Sequence, residues 1–166
     1  LSALMDIMDE DMLRFWEALN LNGVEYMMVG GVAVNLHGYA RTTDDIDIWI
    51  KDTIENRRKL GLALEKFGYV KLNLENFQFL PGWSNFNIGS GIELDIMTSM
   101  KSLEGFTFNE CINLASIAEI RQLKVPFIHI NHLIQNKKAV NRPKDQIDVI
   151  ELEKILEIHR ETGLIP

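Results

Sequence analysis

A six-residue stretch early in the chain alternates strictly between isoleucines and polar or aromatic side chains. Asp45, Asp47 and Trp49 occupy every second position of residues 45–50, and isoleucines occupy the others. Successive side chains of a β-strand point to opposite faces, so the stretch predicts a strand with one apolar core face and one face that carries two carboxylates. Magnesium is typically held by one or two carboxylates together with substrate phosphates. The pattern therefore favours a phosphoryl- or nucleotidyl-transfer enzyme.

A second stretch, residues 92–97, repeats this alternation with Glu93 and Asp95 opposite three apolar residues. It follows a Gly-Ser-Gly turn, which predicts a hairpin with residues 85–88. A neighbouring strand would bring Asp95 to the same site as Asp45 and Asp47, either as a third metal-site carboxylate or as a general base near the acceptor. The alternative is that these acids only solvate exposed faces of the sheet.

Length, composition and charge narrow the class of protein. The chain has 166 residues, 46 % of them hydrophobic, which favours one domain over residues 1–166 with a real core. No apolar run approaches the length of a membrane span, the first ten residues do not resemble a signal peptide, and the lone Cys111 fits a reducing cytoplasm. The net charge of −7 argues against unselective binding to long nucleic acid.

Hydrophobic periodicity and Gly/Pro punctuation predict an α+β fold, in which helices flank a small mixed β-sheet with the acidic strands at its centre. Residues 101–114 are expected to be irregular or weakly helical. The predicted helices are 9–19, 32–37, 53–67, 131–139 and 143–159, and the predicted strands are 25–29, 46–50, 85–88, 92–97, 116–120 and 127–130.

The residues between the first two strands offer candidate phosphate contacts. Gly30 and Gly31 end an apolar strand and open a helix, so their backbone N–H groups could meet a phosphate; a simple tight turn is the alternative. Arg41 and Thr43 precede the acidic pair. Arg41 could contact phosphates and Thr43 could form a hydrogen bond near the metal; the alternative for each is a solvated loop residue. Neither a dinucleotide fingerprint nor a P-loop motif is present.

A basic cluster lies where one predicted helix ends and the next begins. Lys137, Lys138, Arg142 and Lys144 place four positive charges within eight residues. A solvated helix end is one interpretation. If the cluster folds against the acidic strands instead, Lys138, Arg142 and Lys144 would offset triphosphate charge, and Asp145 would orient one of these cations or cap the last helix.

Two further residues are weaker candidates for substrate contact. His37 lies on the short helix after the glycine pair and is a possible contact. Trp49 shares the acidic face and could stack on a base, although burial beside the sheet is the simpler expectation.

Taken together and in order, these motifs resemble the nucleotidyltransferase superfamily, the polymerase-beta-like minimal fold. The motifs are Gly30-Gly31, the segment Arg-x-Thr-x-Asp-Ile-Asp at 41–47 and Leu-Asp-Ile at 94–96. The stretch 132–148, with its late Lys-Lys-Ala and Arg-Pro-Lys-Asp-x-x-Asp, is similar to the AbiEii-type branch of small bacterial nucleotidyltransferases. The resemblance covers residues 24–152.

The resemblance implies Mg²⁺- or Mn²⁺-dependent transfer of a nucleoside monophosphate from an NTP to a hydroxyl or phosphate acceptor. Its metal would be held by Asp45, Asp47 and Asp95, and its triphosphate would contact Gly30 and Gly31. Relatives modify RNA as toxins of toxin–antitoxin pairs, which implies a possible antitoxin-like partner, or inactivate antibiotics. The competing hypothesis is a non-catalytic nucleotide- or partner-binding module of the same fold.

Overall fold

The computed structural model describes residues 9–80, 82, 85–89 and 91–164, and contains six α-helices and six β-strands in that part of the chain. A short 3₁₀ turn, Glu65–Phe67, continues the third helix. The helices are α1 Glu10–Leu21, α2 Gly30–Leu36, α3 Ile54–Leu64, α4 Phe108–Leu114, α5 Ile130–Val140 and α6 Pro143–Thr162. The strands are β1 Tyr26–Val29, β2 Asp45–Ile50, β3 Asn85–Asn87, β4 Glu93–Met97, β5 Ser116–Ile120 and β6 Leu123–Phe127.

The strands form one mixed sheet in the order β3-β4-β2-β1-β6-β5. The pairs β2–β4 and β1–β6 are parallel, and the other three neighbouring pairs are antiparallel. Both acidic strands, β2 and β4, lie inside the sheet, as the sequence predicts. The architecture confirms the prediction of an α+β fold with a small mixed sheet flanked by helices.

The isoleucine face of β2 forms the centre of the hydrophobic core. Ile46, Ile48 and Ile50 are completely buried. Helix α1 covers this face, because the Trp16 indole Nε1 lies 3.3 Å from Sδ of Met28, and Met28 is the cross-strand partner of Ile48. With the isoleucines fixed in the core, strand alternation directs the carboxylates of β2 to the opposite face.

Two elements differ from the sequence prediction. The last strand is residues 123–127 rather than 127–130, because Arg121 and Gln122 adopt positive φ values of 45° and 69° and form the tight turn of a β5–β6 hairpin. Residues 108–114 form the regular helix α4, which begins with a reciprocal capping box between Thr107 and Glu110.

Among the described residues, no helix combines the length and the apolar composition that crossing a bilayer requires.

Candidate active site

The acidic residues of β2 and β4 meet side by side, as the alternation predicts. Asp47 pairs in register with Asp95, and Asp45 pairs with Glu93 on the neighbouring parallel strand. Directly opposed residues of adjacent strands share a sheet face, so the four carboxylates project from the face opposite the core. We call these four residues the acidic floor.

Burial and nearby charge disfavour ionisation of Asp47 and Asp95, two of the four residues of the acidic floor. Burial raises the pKa of Asp47 to about 6, and the nearby carboxylates of Asp95 and Asp45 contribute to the rise. Burial also raises the pKa of Asp95, although its Oδ2 accepts a hydrogen bond of 2.7 Å from the Gly82 N–H. The other oxygen, Oδ1, is buried without a hydrogen-bond partner among the described residues. A positively charged ligand would relieve both conditions.

The glycine pair lies directly against the acidic floor. Gly30 has a φ of +61°, and a Cβ atom placed there would overlap the carboxylate of Asp47. A Cβ on Gly31 would overlap the Thr43 hydroxyl and crowd the Arg41 guanidinium. Only residues without a side chain let the strand-to-helix turn approach these groups so closely.

A buried ion network forms the opposite wall of the site. Asp145 and Asp148, on the first turns of α6, are completely buried. Lys137 Nζ on α5 lies 3.0 Å from Asp145 Oδ1 and 2.9 Å from Asp148 Oδ2. Arg142 donates to both oxygens of Asp145 at 2.7 and 3.2 Å, and Arg41 donates to both oxygens of Asp148 at 2.6 and 2.8 Å. We call these five residues the ion network.

The network carries more positive than negative charge and ties three segments together. Burial alone would raise the pKa of Asp145, but hydrogen bonds from Arg142 and Lys137 outweigh it and hold that pKa at about 2. Through Arg41, the network also fixes the loop that leads into β2. Three cations therefore share two carboxylates, which leaves one net positive charge facing the acidic floor.

Between the acidic floor and the ion network lies a cleft of about 710 Å³. Gly30, Gly31 and Thr43 also border it. Among the described residues, its cationic lining consists of Arg41, Lys101, Lys137, Arg142 and Lys144, and its acidic lining consists of Asp44, Asp45, Asp47, Glu93 and Asp95. One cleft thus combines carboxylates suited to a divalent cation with cations suited to a polyphosphate.

Four sequence candidates lie outside the cleft lining, and one of them, Trp49, is buried on β2 as the simpler expectation had it. Asp145 is enclosed within the ion network. Lys138 projects from the outer side of α5, where its Nζ lies 2.6 Å from Glu153 Oε1. His37 Nε2 makes a 2.8 Å hydrogen bond with the carbonyl of Ile128, and burial lowers its pKa to about 4.

The sequence motifs assign no individual role to three other residues of the site. Two of them, Lys101 and Lys137, line the cleft, and the third, Asp148, supports it through its ion pair with Lys137. The position of Asp148 could have been predicted from the sequence, because it lies three residues after Asp145 and so shares its helix face. No sequence pattern predicts the position of Lys101, since it follows β4 in an irregular segment.

Comparison with known proteins bears on the fold. No protein-family model matches the sequence, and no curated protein matches it. Among solved structures, the lincosamide antibiotic adenylyltransferase LnuA, with lincomycin bound, superposes with a TM-score of 0.61 at 18 % identity, over 89 % of this chain and 97 % of that one. The chain has the nucleotidyltransferase fold.

Two further structures agree with this assignment. The antibiotic-resistance factor ANT(2'')-Ia gives a TM-score of 0.56 at 19 % identity, over 92 % of this chain and 89 % of its own. A nucleotidyltransferase-like antigenic protein from Paracoccidioides brasiliensis gives 0.59 at 15 % identity, over 93 % of this chain and 77 % of its own. At these identities the likeness establishes the fold alone.

Proposed function

We propose that this protein is a Mg²⁺- or Mn²⁺-dependent nucleotidyltransferase, which moves a nucleoside monophosphate from an NTP to an acceptor hydroxyl or phosphate. The observation that carries the proposal is the register pair Asp47–Asp95, which faces a wall of cations across a cleft of about 710 Å³. Phosphoryl-transfer catalysis consists mainly of positioning and electrostatic stabilisation, and the cleft supplies groups for both.

The donor set fits a divalent cation that arrives with its nucleotide. Among the described residues, no three acidic, histidine or cysteine side chains converge into a ligand cluster. Mg²⁺ is usually bound by only one or two carboxylates plus substrate phosphates, and Asp47 and Asp95 supply two. The raised pKa of Asp47 and the unpartnered Oδ1 of Asp95 both favour a bound cation. When bound, the ion would neutralise charge on the reacting phosphate.

The other residues of the cleft have separate roles in binding the nucleotide. Arg142 and Lys144 offset the charge of the β- and γ-phosphates, and the backbone of Gly30–Gly31 borders the same space. Lys137 and Arg41 are held in place by the carboxylates of the ion network and present positive charge to the cleft. Thr43 Oγ1 is fixed by a 3.1 Å hydrogen bond to the carbonyl of Asp45.

The transfer step uses Asp95 as the proton acceptor. An acceptor oxygen forms a bond to the α-phosphorus, and the bond between that phosphorus and the bridging oxygen of pyrophosphate breaks. Pyrophosphate leaves with the electron pair, and the hydroxyl proton passes to the carboxylate of Asp95. A phosphate acceptor that is already ionised needs no such base.

The acceptors of the structural neighbours suggest which molecules to test first. LnuA was crystallised with lincomycin, and ANT(2'')-Ia was crystallised with an adenylylated tobramycin. An RNA end is a further acceptor class, which the AbiEii-type resemblance of residues 132–148 implies. The net charge of −7 disfavours extended contact with RNA, so an RNA end would have to be held locally.

The proposal is tested by incubating the protein with each NTP, labelled in the α-phosphate, and with lincomycin, tobramycin or total RNA, in the presence of Mg²⁺ or Mn²⁺. We expect label transfer that Asp47→Asn reduces by at least about a hundredfold, the scale on which essential electrostatic groups act. Glu119→Gln is the control, because it removes one negative charge from an exposed site on β5 at the sheet edge.

Equal transfer by the wild type and Asp47→Asn would refute the catalytic assignment. Metal-dependent NTP binding in calorimetry, without transfer to any acceptor, would instead favour the non-catalytic binding module.

A further inference from the structure

The turn that follows β4 has no role in the function proposed above, although two of its residues, Met100 and Lys101, line the cleft. The turn runs from Met100 to Leu103 and is closed by a 2.9 Å hydrogen bond from the Leu103 N–H to the Met100 carbonyl. Met100 and Leu103 are buried, whereas Lys101 and Ser102 between them are exposed. We call these four residues the lysine turn. Its two ends are fixed in the core, and its middle faces solvent and the cleft.

The backbone of the lysine turn is strained at Ser102, which adopts a φ of +70°. A positive φ at the third position of a turn is typical of type II turns, where glycine or asparagine is the usual residue. A serine side chain is unfavourable in this left-handed conformation, and such strain persists only where neighbouring groups hold the backbone in place. The contacts of the turn therefore indicate what it is built for.

Two adjacent side-chain amides of α5 hold the lysine turn. Gln135 Nε2 donates to the Ser102 carbonyl at 2.6 Å and to the Ser102 hydroxyl at 3.2 Å. Asn136, which is buried, donates from Nδ2 to the Lys101 carbonyl at 3.0 Å. The next residue of α5 is Lys137, a member of the ion network. The backbone of Lys101 is thus tied to the helix that also positions a cation of the opposite wall.

The charge of Lys101 is not compensated within the described part of the chain. Three other cations that line the cleft, Arg41, Lys137 and Arg142, are bonded to the buried carboxylates of the ion network. Lys101 and Lys144 have no ion pair among the described residues. A lysine whose backbone is fixed and whose ammonium group has no carboxylate partner is suited to an anionic ligand.

Strand directions place the lysine turn and the glycine pair at opposite ends of the acidic floor. β1 runs antiparallel to β2 with Val29 opposite Asp47, so the glycine pair that follows Val29 lies towards Asp45. β4 runs parallel to β2 and passes Asp95 before it reaches the lysine turn. The glycine pair borders the space proposed above for the β- and γ-phosphates. The lysine turn therefore approaches the α-phosphate from the side away from the pyrophosphate.

We propose that Lys101 pairs with a non-bridging oxygen of the nucleotide's α-phosphate, and that Gln135 acts through it as a positioning residue. This inference rests on the proposed nucleotidyl transfer. The ammonium group stabilises negative charge on the α-phosphoryl group while its bond to pyrophosphate breaks. Lys144 serves the β- and γ-phosphates, so the two unpaired lysines contact different parts of one triphosphate. Lys101 takes no part in proton transfer, which stays with Asp95.

Binding measurements with matched nucleotides separate the two lysines. Each NTP and its NMP would be used, with Mg²⁺, to displace the fluorescent probe trinitrophenyl-ATP. An NMP carries only the α-phosphate, so Lys101→Ala is expected to weaken NTP and NMP alike by about tenfold, whereas Lys144→Ala is expected to weaken the NTP alone. Lys101→Arg keeps the charge and should retain most of the affinity.

The control for these variants is Lys124→Ala, which removes an exposed lysine of β6 and should change neither affinity. Unchanged NMP affinity in Lys101→Ala would overturn the inference. So would a wild-type protein that binds NTP but no NMP, because a paired α-phosphate has to contribute affinity.

A double-mutant cycle tests the positioning role of Gln135. Its side chain is exposed and lies outside the cleft lining, and Gln135→Ala removes both of its hydrogen bonds to Ser102. We expect this substitution to weaken NMP binding about threefold in the wild type, and to have no effect in the Lys101→Ala background. Equal losses in both backgrounds would show that Gln135 serves the fold rather than Lys101.

Transfer kinetics separate this inference from the proposed function. With any acceptor that supports transfer, Lys101→Ala is expected to lower kcat/KM for the NTP at least about tenfold and to leave KM for the acceptor unchanged. Transfer that depends on Asp47 but is indifferent to Lys101 would overturn the assignment of Lys101 and leave nucleotidyl transfer standing. Nucleotide binding that depends on Lys101, without transfer to any acceptor, would do the reverse.

Discussion

The cleft is bounded by two sets of carboxylates that differ in how their charge is compensated. In the ion network, Asp145 and Asp148 are completely buried and each is bonded by two cations. In the acidic floor, Asp47 and Asp95 have no ion pair in the part of the chain that the structure describes. The pKa of Asp145 is held at about 2, whereas that of Asp47 is raised to about 6.

This difference separates carboxylates whose charge is compensated within the protein from carboxylates whose charge is left without an ion pair among the described residues. Burying a paired charge with satisfied hydrogen bonds is tolerated, but burying adjacent unpaired carboxylates destabilises the protein. The unfavourable ionisation of Asp47 and Asp95 is what the divalent cation proposed for this site would relieve. The two sets should respond to mutation with opposite signs, which makes the comparison testable.

The largest effect is expected from breaking the ion network. Asp148→Ala would leave Arg41 and Lys137 without their shared buried partner, so we expect the free energy of unfolding in urea to fall by about 3–5 kcal/mol. The control is Asp52→Ala, which removes the exposed partner of Arg57 and should cost at most about 1 kcal/mol. A loss at Asp148 as small as that at Asp52 would contradict the structural role of the network.

A smaller effect is expected where the glycine turn meets the acidic floor. Gly30→Ala introduces a side chain at a φ of +61°, which costs about 1–2 kcal/mol, and its Cβ also displaces the Asp47 carboxylate. Gly23→Ala has a φ of +66° with open space around it, and so measures the backbone strain alone.

We expect the free energy of unfolding in urea to fall by at least about 1 kcal/mol more in Gly30→Ala than in Gly23→Ala. Gly30→Ala should also lose nucleotidyl transfer, whereas Gly23→Ala should keep full activity. Equal losses of stability with activity retained in both variants would show that Asp47 does not depend on the close approach of Gly30.

The acidic floor itself should become more stable when a charge is removed. The pKa of Asp47 rises from 3.8 in the unfolded chain to about 6 in the folded protein, so ionised Asp47 opposes folding at neutral pH. In metal-free protein, Asp47→Asn should therefore raise the free energy of unfolding by about 2 kcal/mol near pH 7, even though the same substitution is expected to reduce transfer.

The pH dependence provides the check on this prediction. Below about pH 4 the carboxyl is protonated in both states, so the gain should vanish there; it should grow through pH 4–6 as the unfolded chain loses its proton first. Saturating Mg²⁺ and NTP should reverse the order of the two proteins. A variant less stable than the wild type at every pH would mean that Asp47 has a structural role.

Much of the fold and of the acidic floor was predictable, because strand alternation is a local rule. Placing Ile46 and Ile48 in the core settles where Asp45 and Asp47 point, and the repeat around Asp95 follows by the same reasoning. The β5–β6 turn was not predictable in this way, because Arg121 and Gln122 adopt positive φ without the Gly or Asn that normally marks such a turn.

The cationic wall was harder to predict, because it depends on how helices rotate against a sheet. Lys137 and Lys138 are adjacent in sequence, and successive helix residues point about 100° apart. The sequence shows that α5 ends in lysines, but only tertiary packing decides which of them faces inward. In the structure, Lys137 is 4 % exposed and joins Asp145 and Asp148, while Lys138 pairs with Glu153 outside the cleft.

The smallest effect is therefore expected at Lys138, the lysine that the sequence motif favours for triphosphate binding. Because its salt bridge with Glu153 is half exposed, Lys138→Ala should change the free energy of unfolding by less than about 0.5 kcal/mol and leave KM for the NTP unchanged. Lys137→Met, which keeps the length of the side chain but removes its charge from between Asp145 and Asp148, should lower both stability and transfer. A rise in KM in Lys138→Ala alone would show that α5 turns its other face to the nucleotide when substrate binds, and that the structural division between the two lysines describes only the free protein.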